Sequence, residues 1–186
     1  MTSDEAMLAV VDVLESLGLS YLLVGSFSSN YYGIARSTRD ADFVVELGSK
    51  SIYQIADSLG ARFRLDPQAS FETVPMTLRH VVDVVGVPFK IEFFHLSDEA
   101  HDQERFRRRR RVMMLGREVS VPTAEDVIVT KVRWASLGRR SKDREDARTV
   151  IAVQGDRIDW PYVNAWCDRH GSRALLEEIR RSIPPI

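Results

Sequence analysis

Apolar residues recur at Met7, Val10, Val11, Leu14 and Leu17 behind the polar stretch Thr2-Ser3-Asp4-Glu5, and Gly18 ends the series. Steps of three and four predict a first amphipathic helix. Tyr21-Leu22-Leu23-Val24 is a continuous apolar run broken by Gly25-Ser26, which predicts a short buried strand and then a compact, helix-compatible stretch to Gly33. A further strand is expected over 40–47 and a helix from Ser49 to Gly60, so strand and helix alternate as in an α/β layer. From Thr77 the texture changes. Residues 78–85 and 89–94 are β-branched and aromatic runs around Gly86, a hairpin-like pair that adds an antiparallel component to the sheet. A polar stretch then leads to an arginine run, and short strands are expected over 112–115 and 118–121 on either side of Gly116. The remainder reads as helices over 123–134, 143–154, 161–170 and 172–181, with Gly155 and Gly171 as breaks. The expected organisation is an α/β (α+β) core over residues 1–121 and a C-terminal helical segment over 122–186, packed on the core as one unit.

The 186 residues, 44% hydrophobic and 28% charged, suffice for one proper core. No apolar run approaches the roughly 20 residues that a membrane-spanning helix needs, and the first residues lack the basic-then-apolar order of a signal peptide. A cytoplasmic protein with no membrane partner is therefore expected. The single cysteine, Cys167, excludes an intrachain disulfide framework and a cysteine-rich zinc site, and beside Trp166 it reads as a packing residue. Histidines 80, 95, 101 and 170 show no ligand spacing and read as structural or surface residues. The net charge of −1 hides a division: residues 1–104 hold 7 Lys and Arg against 16 Asp and Glu, and residues 105–186 hold 19 against 11. Such asymmetry points to nucleic-acid or phosphate handling in the basic part and to metal-seeking acids in the early part.

The chemistry begins at Val24-Gly25-Ser26, a strand ending directly in a Gly-Ser turn before a helix. Backbone N–H groups, a helix N-terminus and a serine hydroxyl can all meet phosphate oxygens at such a turn, although a tight turn with a serine cap has the same sequence. Arg36, Thr38, Asp40 and Asp42 follow at alternating positions. Residues two apart in a strand share a face, so Asp40, Asp42 and Val44 point the same way. Two like charges side by side oppose folding of a half-buried strand, and a divalent cation removes that problem; a solvated strand start with Asp40 capping a turn is the alternative. Glu92, an acid in the aromatic and aliphatic run 89–94, is the best candidate for a third carboxylate, with Asp83 as competitor and a salt bridge between Lys90 and either acid as the plainer reading. Lys131 lies on the inward stripe of Ala124, Val127, Ile128 and Ala135, and Asp143 lies on that of Ala147, Val150 and Ile151. Either the two form a structural ion pair, or Lys131 reaches a substrate phosphate with Asp143 turned into the cleft.

The set Gly25-Ser26, Arg36-x-Thr38-x-Asp40-x-Asp42, Lys90-x-Glu92, Lys131 and Lys142-Asp143 with Asp146 resembles the nucleotidyltransferase superfamily, and more narrowly its AbiEii-type toxin branch with small uncharacterised relatives. The likeness runs from about Tyr21 to Asp146. It implies a mixed β-sheet flanked by helices and transfer of a nucleoside monophosphate from a nucleoside triphosphate, dependent on magnesium or manganese, with release of pyrophosphate. Position by position it implies metal binding by Asp40, Asp42 and Glu92, and catalytic parts for these three with Lys131 and Asp143. It also implies nucleotide binding by Gly25, Ser26, Arg36, Thr38 and Lys131. Glu92 stands where aspartate is common, and Ala41 where a bulkier aliphatic is common. Arg105 and Arg107 to Arg111 put six arginines within seven positions. If that segment is extended, the guanidiniums alternate in direction, and Arg107, Arg108, Arg109, Arg110 and Arg111 could track RNA such as a tRNA acceptor end; a solvated or self-paired surface is the alternative. The acceptor hydroxyl is thus expected on tRNA or another RNA, as in a toxin with a cognate antitoxin. A small molecule of the aminoglycoside kind is the enzymatic rival, and an inactive binding module the non-enzymatic one.

Overall fold

Thr2 caps the first helix through a reciprocal pair of bonds with Glu5 in the computed structural model, which describes residues 1–74, 76–138 and 140–184. In chain order the elements are α1 (Ser3–Ser16), β1 (Ser20–Val24), α2 (Gly25–Tyr32), β2 (Asp40–Glu46), α3 (Ile52–Leu59), β3 (Phe63–Leu65), β4 (Ser70–Glu72), β5 (Thr77–Val84) and β6 (Lys90–His95). Then come α4 (Ala100–Arg107), β7 (Arg110–Met114), β8 (Arg117–Val121), α5 (Ala124–Gly138), α6 (Ser141–Gln154), α7 (Trp160–Arg169) and α8 (Arg173–Arg181). The chain forms two units, one of Met1–Val24 with Ser37–Val121, the other of Gly25–Arg36 with the chain from Pro122 on.

The first unit is built on a mixed sheet of order β1-β2-β6-β5-β3, with β4 also paired to β5. Only β2 and β6 run parallel; the neighbouring pairs are antiparallel. Side-chain alternation divides the sheet sharply. Tyr21, Leu23, Ala41, Phe43, Val45, Ile91 and Phe93 are buried on one face, with the Phe43 and Phe93 rings stacked 5.8 Å apart. The buried stripe of α1 (Ala6, Met7, Val10, Val11, Leu14) and that of α3 (Ile52, Ile55) supply helical apolar surface, α1 packing against β1 and α3 against β3. The other face carries Asp40, Lys90 and Asp83 in one row, Val24, Asp42 and Glu92 in the next, and Leu22, Val44, Phe94 and Arg79 in the third; Leu22, Val24 and Val44 cluster with Phe94, Leu96 and Phe106.

The second unit packs α2, α5, α6, α7 and α8 around a core of Ile128, Val129, Val132, Ala147, Val150, Val163, Leu176 and Ile179. Cys167 belongs to that core, and burial pushes its thiol up to about 11, so it is the packing residue its neighbour suggested. Gly33 is fixed by a close approach. A Cβ there would meet Thr149 Oγ1 at 2.8 Å, Ser29 O at 3.0 Å and Val150 N at 3.0 Å.

Several expectations need correction. The third helix is capped by Ser51, not opened at Ser49, because Ser51 and Gln54 form the capping box. The polar stretch after Ser97 forms α4, capped by Glu99 and held by the buried Arg105–Asp102 ion pair at 2.9 Å and by Phe106. Consequently the arginine run is not one extended segment: Arg105 and Arg107 are helical, and only Arg110 and Arg111 lie in a strand. The short strands β3 and β4 were also not expected.

Gly33→Ala is expected to lower the unfolding free energy by about 1–3 kcal/mol, since two of the three crowding atoms are backbone and cannot swing away. The midpoint of urea denaturation measures this; an unmoved midpoint contradicts the packing.

Candidate functional site

The register of β2 with β6 places Asp42 directly across from Glu92, and Asp40 across from Lys90. Adjacent strands lie about 4.8 Å apart, so the Asp42 and Glu92 carboxylates leave the sheet as neighbours. Asp40 shares their face two residues upstream, held by Thr38, whose hydroxyl donates to Asp40 Oδ1 at 2.7 Å. All three acids are partly buried. On the far side of β2, Val24 is opposite Asp42, and in the chain Gly25 follows it.

Lys90 pairs with Asp83, one of the two acids the sequence offered it, and Glu92 takes a partner the sequence did not name. Asp83 is across from Lys90 in the β5–β6 register, and Lys90 Nζ lies 3.8 Å from it. Glu92 is across from Val81 and diagonal to Arg79, which donates from Nη1 to Glu92 Oε2 at 3.2 Å. Asp83, which also meets Arg64 at 3.5 Å, is on a strand that does not pair with β2, so Glu92 is the acid beside Asp42.

Do these residues fit a magnesium ion? The donors are hard carboxylate oxygens, and Asp40 Oδ2 and Glu92 Oε1 make no hydrogen bond among the described residues. The oxygens of the three acids do not all come within 4.8 Å of one another, so the side chains would turn by a rotamer to share an ion. The donor chemistry and strand register fit; Arg79 is the cation that now occupies part of the position.

Within the second unit, α2 begins at Gly25, whose φ of +62° suits glycine, and Ser26 is buried. Arg36 donates from Nη2 to Ser26 Oγ at 3.1 Å and grips Asp146 through Nε at 2.7 Å and Nη2 at 2.9 Å. Asn30 pins Arg36 from both sides of its backbone, donating from Nδ2 to the Arg36 carbonyl and accepting from the Arg36 N–H. Lys131, almost fully buried, completes the chain with Nζ 2.8 Å from Asp143 Oδ1 and 2.8 Å from Asp146 Oδ2. Two cations and two anions thus balance. Burial opposes the Lys131 charge, yet Asp143 and Asp146 outweigh it and raise its pKa. Burial likewise pushes the Asp146 carboxyl up, and Arg36 and Lys131 outweigh that and hold it below its ordinary 3.8. The structure therefore shows the Lys131–Asp143 ion pair and adds Asp146, which sequence reasoning set in the motif without a role. The signal was the spacing: Asp143 and Asp146 are one helical turn apart and meet one inward lysine.

The arginines are largely engaged within the first unit. Arg105 pairs with Asp102, Arg107 with Glu104 at 2.7 Å, and Arg111 with Glu15 and Glu118. Arg109 lies 4.7 Å over the Phe106 ring. Arg108 is partly buried, and Arg110 is exposed with no side-chain partner among the described residues.

No protein-family model matches the chain, and no curated protein matches it in sequence. Solved structures do match in shape. ANT(2'')-Ia in complex with adenylyl-2''-tobramycin superposes with a TM-score of 0.62 at 15% identity, over 90% of this chain and 99% of that one. The lincosamide antibiotic adenylyltransferase LnuA, lincomycin-bound, gives 0.56 at 10% identity over 82% and 98%. An antigenic nucleotidyltransferase-like protein from Paracoccidioides brasiliensis gives 0.52 at 17% identity over 100% and 96%. At these identities the likeness is one of fold: this chain has the nucleotidyltransferase-like fold, a mixed sheet with flanking and C-terminal helices.

Because the pKa of Asp146 is depressed, its contribution to stability is present above its ordinary value and is lost as pH falls through the folded one. Asp146→Asn should cost about 3 kcal/mol at neutral pH by leaving buried cations short of charge, and should flatten the acid limb of the stability profile. Thermal melts from pH 7 down to pH 3 read both effects; a variant with the parent's acid limb contradicts the network.

Proposed function

We propose that the protein is a magnesium-dependent nucleotidyltransferase that moves a nucleoside monophosphate from a nucleoside triphosphate to a hydroxyl of a small polyhydroxylated acceptor. The observation that carries this reading is the placement of Asp42 beside Glu92 on neighbouring parallel strands, with Asp40 on the same face of a nucleotidyltransferase-like sheet. Asp40, Asp42 and Glu92 would hold the metal. When bound, it supplies the positive charge that polarises the α-phosphate and offsets the charge of the departing pyrophosphate.

The chain's own groups do the rest. On the second unit, the sequence resemblance implies that Gly25 and Ser26 meet the triphosphate; there the Ser26 hydroxyl accepts from Arg36. Arg36 is in turn fixed by Asp146, and Asp146 by Lys131 and Asp143; in this reading Lys131 and Asp143 are positioning residues whose charges are spent on that chain. Thr38 orients Asp40. Glu92, uncommitted at Oε1, takes the acceptor proton as the acceptor oxygen bonds to the α-phosphorus and the α–β anhydride bond breaks.

A small acceptor is favoured over RNA because Arg105, Arg107 and Arg111 of the arginine run, its expected track, are paired with Asp102, Glu104, Glu15 and Glu118. Antibiotic adenylyltransferases of the same fold act on acceptors of that size. The toxin reading drawn from the AbiEii-type resemblance, with its antitoxin partner, has no comparable observation behind it.

Asp42→Asn should lower pyrophosphate release from ATP, magnesium and an aminoglycoside or lincosamide panel by about a hundredfold or more, with an unchanged circular dichroism spectrum. Turnover that survives the substitution refutes the assignment. Steep loss of turnover between low and moderate salt would move the acceptor back to RNA.

A further inference from the structure

We propose that the outer edge of β7 accepts an added β-strand from an acidic, aliphatic segment of a partner protein. This stands apart from the transfer reading and rests on the β7–β8 hairpin alone.

The hairpin turns at Leu115-Gly116, with φ of 52° and 79°, so Met114 and Arg117 close a two-residue loop as a hydrogen-bonded pair. Bonded and non-bonded pairs alternate along an antiparallel ladder. Val112–Val119 and Arg110–Val121 are therefore bonded pairs as well, and the N–H and C=O groups of Arg111 and Met113 point away from β8. An independent contact supports the parity: Ser120, across from Arg111, sends its N–H outward to the Tyr21 hydroxyl at 3.4 Å. The β8 edge is thus covered. On β7, Arg110, Arg111 and Met113 are exposed, and neither Arg111 nor Met113 makes a backbone hydrogen bond beyond the hairpin among the described residues.

Exposed edges are normally blunted by proline, a bulge or great brevity. β7 has five residues in unbroken register and neither proline nor glycine. What guards it is charge, and that charge selects. Arg110 has no side-chain partner among the described residues, while Arg111 is shared by two exposed glutamates. At the tip, Met113 is 63% and Leu115 54% exposed. Leucine is a costly choice at a positive φ in a turn that favours Asn, Asp or Gly, and more than half of this one is exposed. An added strand with a carboxylate opposite Arg110 and aliphatic side chains on the other face, against Met113, would satisfy the backbone groups, the free cation and the apolar tip together. A nucleic acid would meet the arginines but has no amide ladder to complete.

The test uses the whole chain and a heptapeptide alternating glutamate and valine, followed by amide hydrogen exchange and binding titration. The Arg111 and Met113 amides should exchange fast in the free protein and slow on adding peptide. N-methylation of alternate peptide residues should weaken binding at least about tenfold, as should Arg110→Glu. Met113→Pro removes an outward N–H that the hairpin does not use, so binding should fall while the Val112 and Met114 amides stay protected; if that hairpin opens, Arg110→Glu carries the test. Equal affinity for the N-methylated peptide, no added protection at Arg111 and Met113, or amides already slow in the free protein each overturn the proposal. So does polyuridylate perturbing these residues while the peptide does not.

Discussion

Parallel pairing of β2 with β6 in its observed register is the constraint on which the first unit depends. That register stacks Phe43 on Phe93 and buries Ala41 with Ile91. Because strands alternate with period two, the same register must set Asp42 against Glu92 on the reverse face. A slip of β2 by one residue would drive Asp40 and Asp42 into the aromatic layer. Two carboxylates about 5 Å apart repel by about 3 kcal/mol at an effective dielectric of about 20. The aromatic face thus enforces an arrangement that the acidic face resists, and Arg79 offsets part of that resistance from the next strand. Such a site favours any added dication.

The second unit solves a different electrostatic problem. Asp143 and Asp146 rise from one face of α6 within a turn of each other, and neither would be tolerated there alone. Lys131 from α5 answers both, and Arg36 answers Asp146 from the segment after α2. The result is a rigid relay ending on the Ser26 hydroxyl. Small residues permit it: α2 buries three serines, and Gly33 lets α2 approach α6 so closely that a methyl group would clash. The turn at Gly25 is therefore held by helix packing, not by loop flexibility.

Periodicity made α1, β1, β2, the β5–β6 pair, the β7–β8 pair and the C-terminal helices legible, because each has a face that must be buried. The three acids were legible for the converse reason, being polar where the pattern calls for a partly buried strand. Contacts that depend on register were not. Glu92 meeting Arg79 and not Lys90 follows from a diagonal across β5 and β6, which no single strand reveals. Helix α4 escaped notice because its buried contacts come from Phe106 and an Arg105–Asp102 pair, leaving almost no apolar period to read. Ser51 with Gln54 did carry a capping signal, and the earlier Ser49 obscured it.

The arginine run shows why charge density along a sequence is a poor measure of charge presented to a partner. It straddles a helix end and a strand start, so successive guanidiniums are handed to different surroundings: Arg105 inward to Asp102, Arg107 back one turn to Glu104, Arg109 onto an aromatic face, Arg111 across to Glu15. Each of the three ion pairs offsets a source of long-range attraction to a polyanion, whereas Arg109 over its ring keeps its charge. Beyond it stands Arg110, beside an open row of backbone groups. There the shape-specific element is the main chain, and the charge selects, rejecting cationic strands and the like-charged edge of a second copy while attracting an acidic one.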